Sequence, residues 1–484
     1  MKHFFLFLFL SSTTLAQVSP PGGAVTLQPG AGTVQPSSAG QVQTGITLTP
    51  SGTSGQLANN NNLIINGLAR FLDPQLDDLV QTGLANSPNL KAAVSRIQEA
   101  RGRVRIAQSF LQPSIRSSAL LNTQSLSEHR PVAIPVATDK LPRFQLNTFQ
   151  FLPVDASWEL DLFKRIRGGI ALAQVQAQAS EADLQAFRLA LASDIARTYY
   201  LIRGNESEQA VFGRNLAARD STLSIVRERF RVGLVSQIDV LRAETDLAQL
   251  RVQLIGLQRV RTELVNALAQ LVAQDPARFT LNVTALPATL PAVPYAQIPP
   301  ELVRRRPDLI QAERAVQIAD AQILVQQASI QPRVTVVGSG GLLSGQIGPW
   351  FTPTSATYLL GVNASVPLYE GRRNRETVSL SRQQTVTTQQ TYQQVVQIAQ
   401  REAETALDNL TYLRLQLAAQ NQALALARRT ELYNRELYIK GLATYLEVLD
   451  AQRTVLASEQ QVVQIRSQEV QFVVALIRAL GGDF

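Results

Sequence analysis

The sequence predicts an α+β membrane protein in which a few amphipathic strands, belonging to a shared β-barrel, are joined to very long helical hairpins, with the whole unit built twice. Three observations lead there. Proline is absent from Val154 to Asp275 and again from Leu368 to Phe484, which leaves two regions free for long helices. Short stretches ahead of those regions alternate apolar and polar residues with period two, as one-sided strands do. The same motifs also recur, in the same order and at constant spacing, in the two halves of the chain.

At the N-terminus, Lys2 and His3 precede the apolar run Phe4 to Leu10, and Thr14-Leu15-Ala16 offers small residues for cleavage before Gln17. Residues 1–16 read as a secretory signal peptide. No later stretch approaches the roughly 18 uncharged apolar residues of a membrane helix, so any crossing by the mature chain falls to strands. Residues 17–75 form an uncharged, low-complexity leader: from Gln17 to Ala69 there is no charge, and Gly, Pro, Ser, Thr and Gln dominate. Such a stretch buries too little apolar surface to fold alone, and ordered structure is expected from near Leu76.

The first structural unit is placed at 76–290, with strands at about 113–124 and 149–160. From Gln150 the even positions Leu152, Val154, Ala156, Trp158 and Leu160 are apolar, while Asp155, Ser157 and Glu159 are polar. A long helix follows. In it Ala179, Ala182, Ala186, Leu189, Ser193, Ala196 and Tyr200 recur at spacings of three and four, a heptad-like seam of mostly small residues. Gly168 to Arg231 alone would extend on the order of 95 Å at ~1.5 Å per residue. Gly233 then stops the helix, and Ser236-Gln237-Ile238-Asp239 starts the next one as a capping box.

The second unit, 291–484, repeats this plan, with strands at about 332–344 and 355–368. Tyr358, Leu360, Val362, Ala364 and Val366 form its apolar, lipid-facing row, alternating with Thr357, Gly361, Asn363 and Ser365. Its hairpin turns at Gly441, followed by the capping box Thr444-Tyr445-Leu446-Glu447. Ser87-Pro88-Asn89-Leu90 corresponds to Arg306-Pro307-Asp308-Leu309, and Gly233, Asp239, Val240, Leu241 and Ala243 correspond to Gly441, Glu447, Val448, Leu449 and Ala451. Four strands cannot close a barrel and a bilayer tolerates no open sheet edge, so several chains must share one barrel.

Composition narrows the chemistry. With no cysteine there is no disulfide, thiolate metal site or N-terminal lipid on Cys; Gln17 follows the expected cleavage site instead. Of two histidines one lies in the signal peptide, and His129 sits in a Ser-Glu-His-Arg-Pro stretch that reads as an exposed loop. No nucleophile, acid/base pair or metal cluster stands out, so neither an enzyme nor a cofactor is expected. The net charge of +8 comes from basic residues scattered among Gln and acidic residues, which fits solvated helix faces rather than a nucleic-acid partner.

Four ordered motifs carry a resemblance covering about Leu76 to Gly482. They are Ala156-Ser157-Trp158-Glu159-Leu160-Asp161-Leu162-Phe163, Leu302-Val303-Arg304-Arg305-Arg306-Pro307-Asp308, Val366-Pro367-Leu368-Tyr369-Glu370-Gly371 and Tyr445-Leu446-Glu447-Val448-Leu449-Asp450-Ala451-Gln452-Arg453. In these the chain resembles the outer-membrane efflux proteins of the TolC and OprM type. The resemblance implies a homotrimer, with four strands per chain making a twelve-stranded barrel and coiled-coil hairpins making a periplasmic α-helical barrel. It further implies an outer-membrane location with a large periplasmic portion, surrounded by outer-membrane lipid. The implied partners are a periplasmic adaptor (membrane fusion protein) and an inner-membrane pump of the RND type. The implied function is passive conduction of drugs and other toxic small molecules to the exterior.

By the same resemblance Leu446, Glu447 and Asp450 match the constriction at the periplasmic end of the tunnel, with Asp239 at the corresponding place in the first unit. Ala443 stands where a TolC-like arginine partner would be. The turns Gly233-Leu234 and Gly441-Leu442 are the expected adaptor-docking tips. Helix capping accounts for Asp239 and Glu447 as well as gating does; Asp450 is not a cap residue. Two other functions use parts of this pattern, the outer channel of a protein secretion system and a soluble periplasmic coiled-coil scaffold, the latter leaving the strands unexplained.

Overall fold

A computed structural model describes residues 67–129, 144–287, 289–291 and 299–482, all within one compact unit, Thr53–Phe484. The expected signal peptide and the leader up to residue 66 lie outside the described residues. The end of the leader needs correction. Leu68 and Phe71 are buried in the main core, and helix α1 (Pro74–Asn86) is capped by Asp73, whose Oδ1 accepts from the Gln75 and Leu76 amides at 3.1 and 3.3 Å. The last residues before Leu76 therefore belong to the fold, with Leu68 and Phe71 as apolar anchors.

Apart from a one-turn helix at Pro300–Val303 and a 3-10 turn at Pro353–Ser355, the other elements among the described residues are α2 (Pro88–Ser109), β1 (Ser114–Leu126), β2 (Phe144–Leu160), α3 (Arg165–Arg231), α4 (Gln237–Leu271), α5 (Pro307–Ser329), β3 (Arg333–Ser344), β4 (Ala356–Ser365), α6 (Arg373–Ile439) and α7 (Tyr445–Ala479). Helices α3 and α6 each have 67 residues, and α4 and α7 each have 35. At ~1.5 Å per residue the longer pair extends about 100 Å. No described helix is long and apolar enough to cross a membrane.

The small-residue seam on α3 packs largely as its spacing predicts: Ala182, Leu189, Ser193, Ala196 and Tyr200 are buried, while Ala179 and Ala186 are half-buried. A second buried row, Ala192, Ile195 and Tyr199, runs beside it. The reason is that α3 has helices on more than one side, packing against α2, α4, α5 and α7. The main core, where α1, α3, α4, α6 and α7 meet, also holds a polar knot. Arg203, 1% exposed, donates to Glu206 at 2.8 Å, Gln75 at 2.6 Å and the Tyr199 hydroxyl at 2.9 Å. Glu206 in turn accepts from Arg261 and from the Thr284 amide. A buried guanidinium is tolerated because its charge is paired with Glu206 and both terminal nitrogens are hydrogen-bonded, although Nε lacks a partner among the described residues.

The sheet runs β1-β2-β3-β4, antiparallel throughout. Residues directly opposite in such pairs share a face, so the register settles which residues line up. Three rows carry the apolar face: Leu160, Val334 and Ala364; Trp158, Val336 and Val362; and Ile115, Ala156, Gly338 and Leu360. The opposite face carries Arg116, Asp155, Ser339 and the exposed Leu359 in one row and Glu159, Thr335 and Asn363 in another. Among the described residues nothing covers the apolar face: Tyr358 is 89%, Leu360 80% and Val362 69% exposed.

Two strand readings are corrected. The pairing of β2 shifts by one residue between Phe151 and Val154 against both neighbours, so the even-numbered apolar row holds only from Val154 onward. Before the bulge an odd residue, Phe149, pairs with Leu121 and Ser344. Pro153 has no N–H for the ladder, and a bulge is where a strand admits proline. Strand β2 also begins earlier than expected, at Phe144. Likewise β4 ends at Ser365, so Val366 falls outside the strand, because Pro367 after it cannot donate and biases its neighbour.

The motif between β2 and α3 is a joint. Trp158 Nε1 donates to the Leu111 carbonyl at 2.9 Å, Glu159 grips Arg165 through both oxygens at 2.8 and 2.7 Å, and Asp161 accepts from the Ile166 and Arg167 amides at 2.8 and 2.9 Å. Asp161 thereby satisfies free amides in the first turn of a 67-residue helix. The triple-arginine motif is a second joint. Arg306 pairs with Asp308 on α5 at 2.7 Å and Glu402 on α6 at 2.8 Å, and donates to the Ala479 carbonyl at the end of α7. Burial alone would raise the Asp308 pKa, but the hydrogen bond and charge of Arg306 hold it below the usual carboxylate value.

Candidate tunnel gate and hairpin tips

Both hairpin turns end their helices in the same way. Gly233 and Gly441 each have φ +78°, the left-handed conformation that glycine adopts without penalty. The Leu234 amide donates to Arg229 O at 2.8 Å and Gly233 to Phe230 O at 2.9 Å; Leu442 to Leu437 O and Gly441 to Tyr438 O repeat these distances. These are the paired bonds of a Schellman motif. The two turns are also stitched together, since the Arg229 guanidinium lies 4.5 Å from the centre of the Tyr438 ring and donates to the Tyr438 carbonyl.

Behind the turns is a separate core of Leu223 and Val226 from α3, Ala243 and Leu247 from α4, Tyr438 from α6 and Tyr445, Val448 and Leu449 from α7. An ion triad joins three of these helices: Asp246 pairs with Arg219 through one oxygen and with Arg453 Nε through the other, the latter at 3.0 Å. Asp246 and Arg219 are buried. Burial pulls the Arg219 pKa down against the opposing pull of Asp246, and burial pushes the Tyr445 phenol up to about 12. Alongside, Gln452 Nε2 donates to the Thr222 hydroxyl at 3.1 Å.

The first turns of α7 divide between this core and solvent. Tyr445, Val448 and Leu449 point inward, while Leu446, Glu447 and Asp450 are exposed. Spacings of three and four put the last three on one helix face. Glu447 accepts from the Thr444 amide at 3.3 Å, the return bond of a capping box. The Asp450 carboxylate has no ion pair among the described residues; its carbonyl accepts from Thr454 Oγ1 at 2.9 Å. The first hairpin departs from expectation. Ser236 Oγ accepts from the Ile238 amide at 3.3 Å, but half-buried Asp239 lies 3.6 Å from Arg242 Nη1 instead of reaching back. Aspartate is one methylene shorter than glutamate and finds the arginine nearer. Among the described residues no hydrogen bond or ion pair joins Asp239 to the Leu446, Glu447 and Asp450 face. Ala443 packs against the tip core.

Sequence reasoning missed the Arg219, Asp246 and Arg453 triad. A signal existed: Asp246 lies between Ala243 and Leu250 at seam spacing, and Arg219 between Phe212 and Val226, so each is a charge where an apolar residue is due.

A 67-residue helix paired with a 35-residue one, twice over, beneath a one-sided four-stranded sheet defines a channel-tunnel subunit. Residues 79–274 and 298–482 match the outer membrane efflux protein family, and the chain belongs to it. The pyoverdine export outer membrane protein OpmQ of Pseudomonas aeruginosa is 30% identical over 421 residues, 86% of either chain. The solved outer-membrane channel OprN is 26% identical with a TM-score of 0.78, covering 86% of this chain and 92% of its own. The outer membrane protein VceC of Vibrio cholerae is 25% identical with a TM-score of 0.76, covering 86% and 98%. The protein is accordingly an efflux component of the outer membrane, with its helices forming the periplasmic tunnel portion.

Proposed function

We propose that this chain is the passive outer-membrane conduit of an export assembly, acting as a homotrimer that takes small molecules from an RND-type pump through a periplasmic adaptor. The observation that carries this reading is the sheet: an apolar face continuous across all four strands, with the outer edges of β1 and β4 unpaired within the described chain. Exposed edges in a bilayer need partners, and β4 of one copy pairing with β1 of the next supplies them. Relatives named for pyoverdine export and for solvent efflux support a small and chemically varied cargo. The chain has no cysteine, so a panel of double variants, one Cys on β1 and one on β4, tests the arrangement cleanly. Oxidised membranes should give a ladder ending at trimers. A ladder ending at dimers, or no cross-link from any pair in correctly localised protein, would refute it.

The turns at Gly233 and Gly441 serve as adaptor docking points in this reading, because they are exposed, rigidly capped and tied together by Arg229. In Gly441→Val the new Cβ would meet only Arg229 Nη2, at 3.8 Å, so its effect comes from backbone strain at φ +78°. Export should fall while trimers still assemble. Unchanged adaptor cross-linking together with unchanged export would remove the tip from the docking surface.

Asp450 belongs to the gate in the same reading, since three copies of an exposed carboxylate with no ion pair among the described residues would form a negative ring at the tunnel mouth. Asp450→Ala should weaken cation selectivity of trimers in planar bilayers. Glu447→Ala, which removes a cap worth about 0.5–1 kcal/mol, should leave selectivity nearly intact. The opposite pattern would assign the gate to Glu447.

A further inference from the structure

A cavity of about 880 Å³ lies where the two structural units meet, walled by α2, α3, α5, α6 and α7 beside the C-terminal end of α7. Phe187, Phe472 and Ala475 give it an apolar wall, which continues into a neighbouring hollow of about 320 Å³ that shares Phe472 and Ala475. The charged groups around it are unevenly matched. Arg306 is engaged by Asp308 and Glu402, and Arg478 lies 3.6 Å from Asp194. Arg96 and Arg401, which also line the cavity, have no hydrogen bond or salt bridge among the described residues. Against these two guanidinium groups stands Asp183, whose Oδ1 is buried without a hydrogen-bond partner. Burial raises the Asp183 pKa, with the charge of Arg96 opposing the shift.

We propose that this cavity binds a small amphipathic anion, its carboxylate, sulfonate or phosphate held by Arg96 and Arg401 and its apolar body lying against Phe187 and Phe472. Guanidinium groups match such oxyanions in charge and geometry, and the volume falls within the ~300–1,000 Å³ usual for small-molecule sites. The walls are helical and lie apart from the strands that carry the lipid-facing rows, so the occupant is a soluble anion and not a bilayer lipid.

The test is equilibrium binding of naphthalene-2-sulfonate to the full-length protein in phosphatidylcholine nanodiscs, with naphthalen-2-ylmethylammonium as the cation of the same ring. The sulfonate should bind saturably, once per chain, and the ammonium should not. Arg96 and Arg401 are exposed, so the double variant Arg96→Ala/Arg401→Ala should keep the helical melting profile while binding at least ~10-fold more weakly, as expected when a charge-assisted contact is lost. Asp183→Asn, which removes a competing negative charge, should bind as well or better. Equal binding of the two probes, or unchanged affinity in the double variant, overturns the proposal. Affinity that collapses when phosphatidylglycerol replaces phosphatidylcholine would mean that a lipid headgroup owns the site, and also overturns it.

Discussion

Asp246→Ala is expected to loosen the tip core by about 3–5 kcal/mol, the usual cost of removing one partner from a buried ion pair. The size follows from what is left behind. Arg219 stays buried with its charge unanswered, and its Nε and Nη2 already lack partners. Arg453, half-exposed, can turn to water and contributes less. The measurement is hydrogen exchange by mass spectrometry on assembled protein, where amides around Leu223 to Val226 and Val448 to Gln452 should lose protection while those near Tyr199 keep theirs. A second variant separates charge from packing: Arg219→Met/Asp246→Leu replaces the pair with apolar side chains of similar volume and should recover most of the protection. A loss below ~1 kcal/mol in the single variant would show that water reaches Arg219 and that the triad is not a buried one.

Leu360→Arg should cost about 2–4 kcal/mol in barrel stability, and Val362→Arg about 0–1 kcal/mol, because the penalty for arginine on a lipid face peaks at the midplane. Register sets this order. Val362 shares its row with Val336 and Trp158, whose indole bonds to the Leu111 carbonyl near the helical end of the sheet, while Leu360 lies one row deeper, with Gly338, Ala156 and Ile115. From Val334 to Ser344 the strand covers on the order of 30 Å, and a tilt of about 40° brings that to roughly the 25 Å of an outer-membrane apolar band. Asn363→Arg, on the opposite face, should be nearly neutral. Heat-modifiability of refolded protein in lipid vesicles reads all three. An Asn363→Arg variant that fails where Leu360→Arg folds would place the polar face toward lipid.

What could be read from the residues was whatever depends on near neighbours. The left-handed glycines at Gly233 and Gly441 were legible because a helix stop needs only a few consecutive residues, and the alternation of β4 was legible because period two is local. The shift in β2 was not, although Pro153 was in plain view: a bulge is defined against the partner strands, and β1 and β3 enter only through pairing. The α7 motif was recognisable as a unit, yet its division into Tyr445, Val448 and Leu449 inward and Leu446, Glu447 and Asp450 outward depends on where α3 and α4 stand. The triad lay further out of reach, because nothing within α4 indicates that Asp246 will meet Arg453 on another hairpin. Charges at seam positions could have marked its members singly without joining them.

The equal lengths of α3 and α6, and of α4 and α7, constrain how such a chain can change. One residue added to α3 would swing every later side chain by about 100° and carry the seam away from its neighbours. Only additions that restore the phase, in blocks near seven or eleven residues, keep the rows in contact. An addition to one hairpin alone would also part Arg229 from the Tyr438 carbonyl, so any lengthening has to occur in both halves together. Sequence drift is therefore cheap in this molecule and length drift is nearly forbidden, and its two halves have diverged as texts while remaining the same ruler.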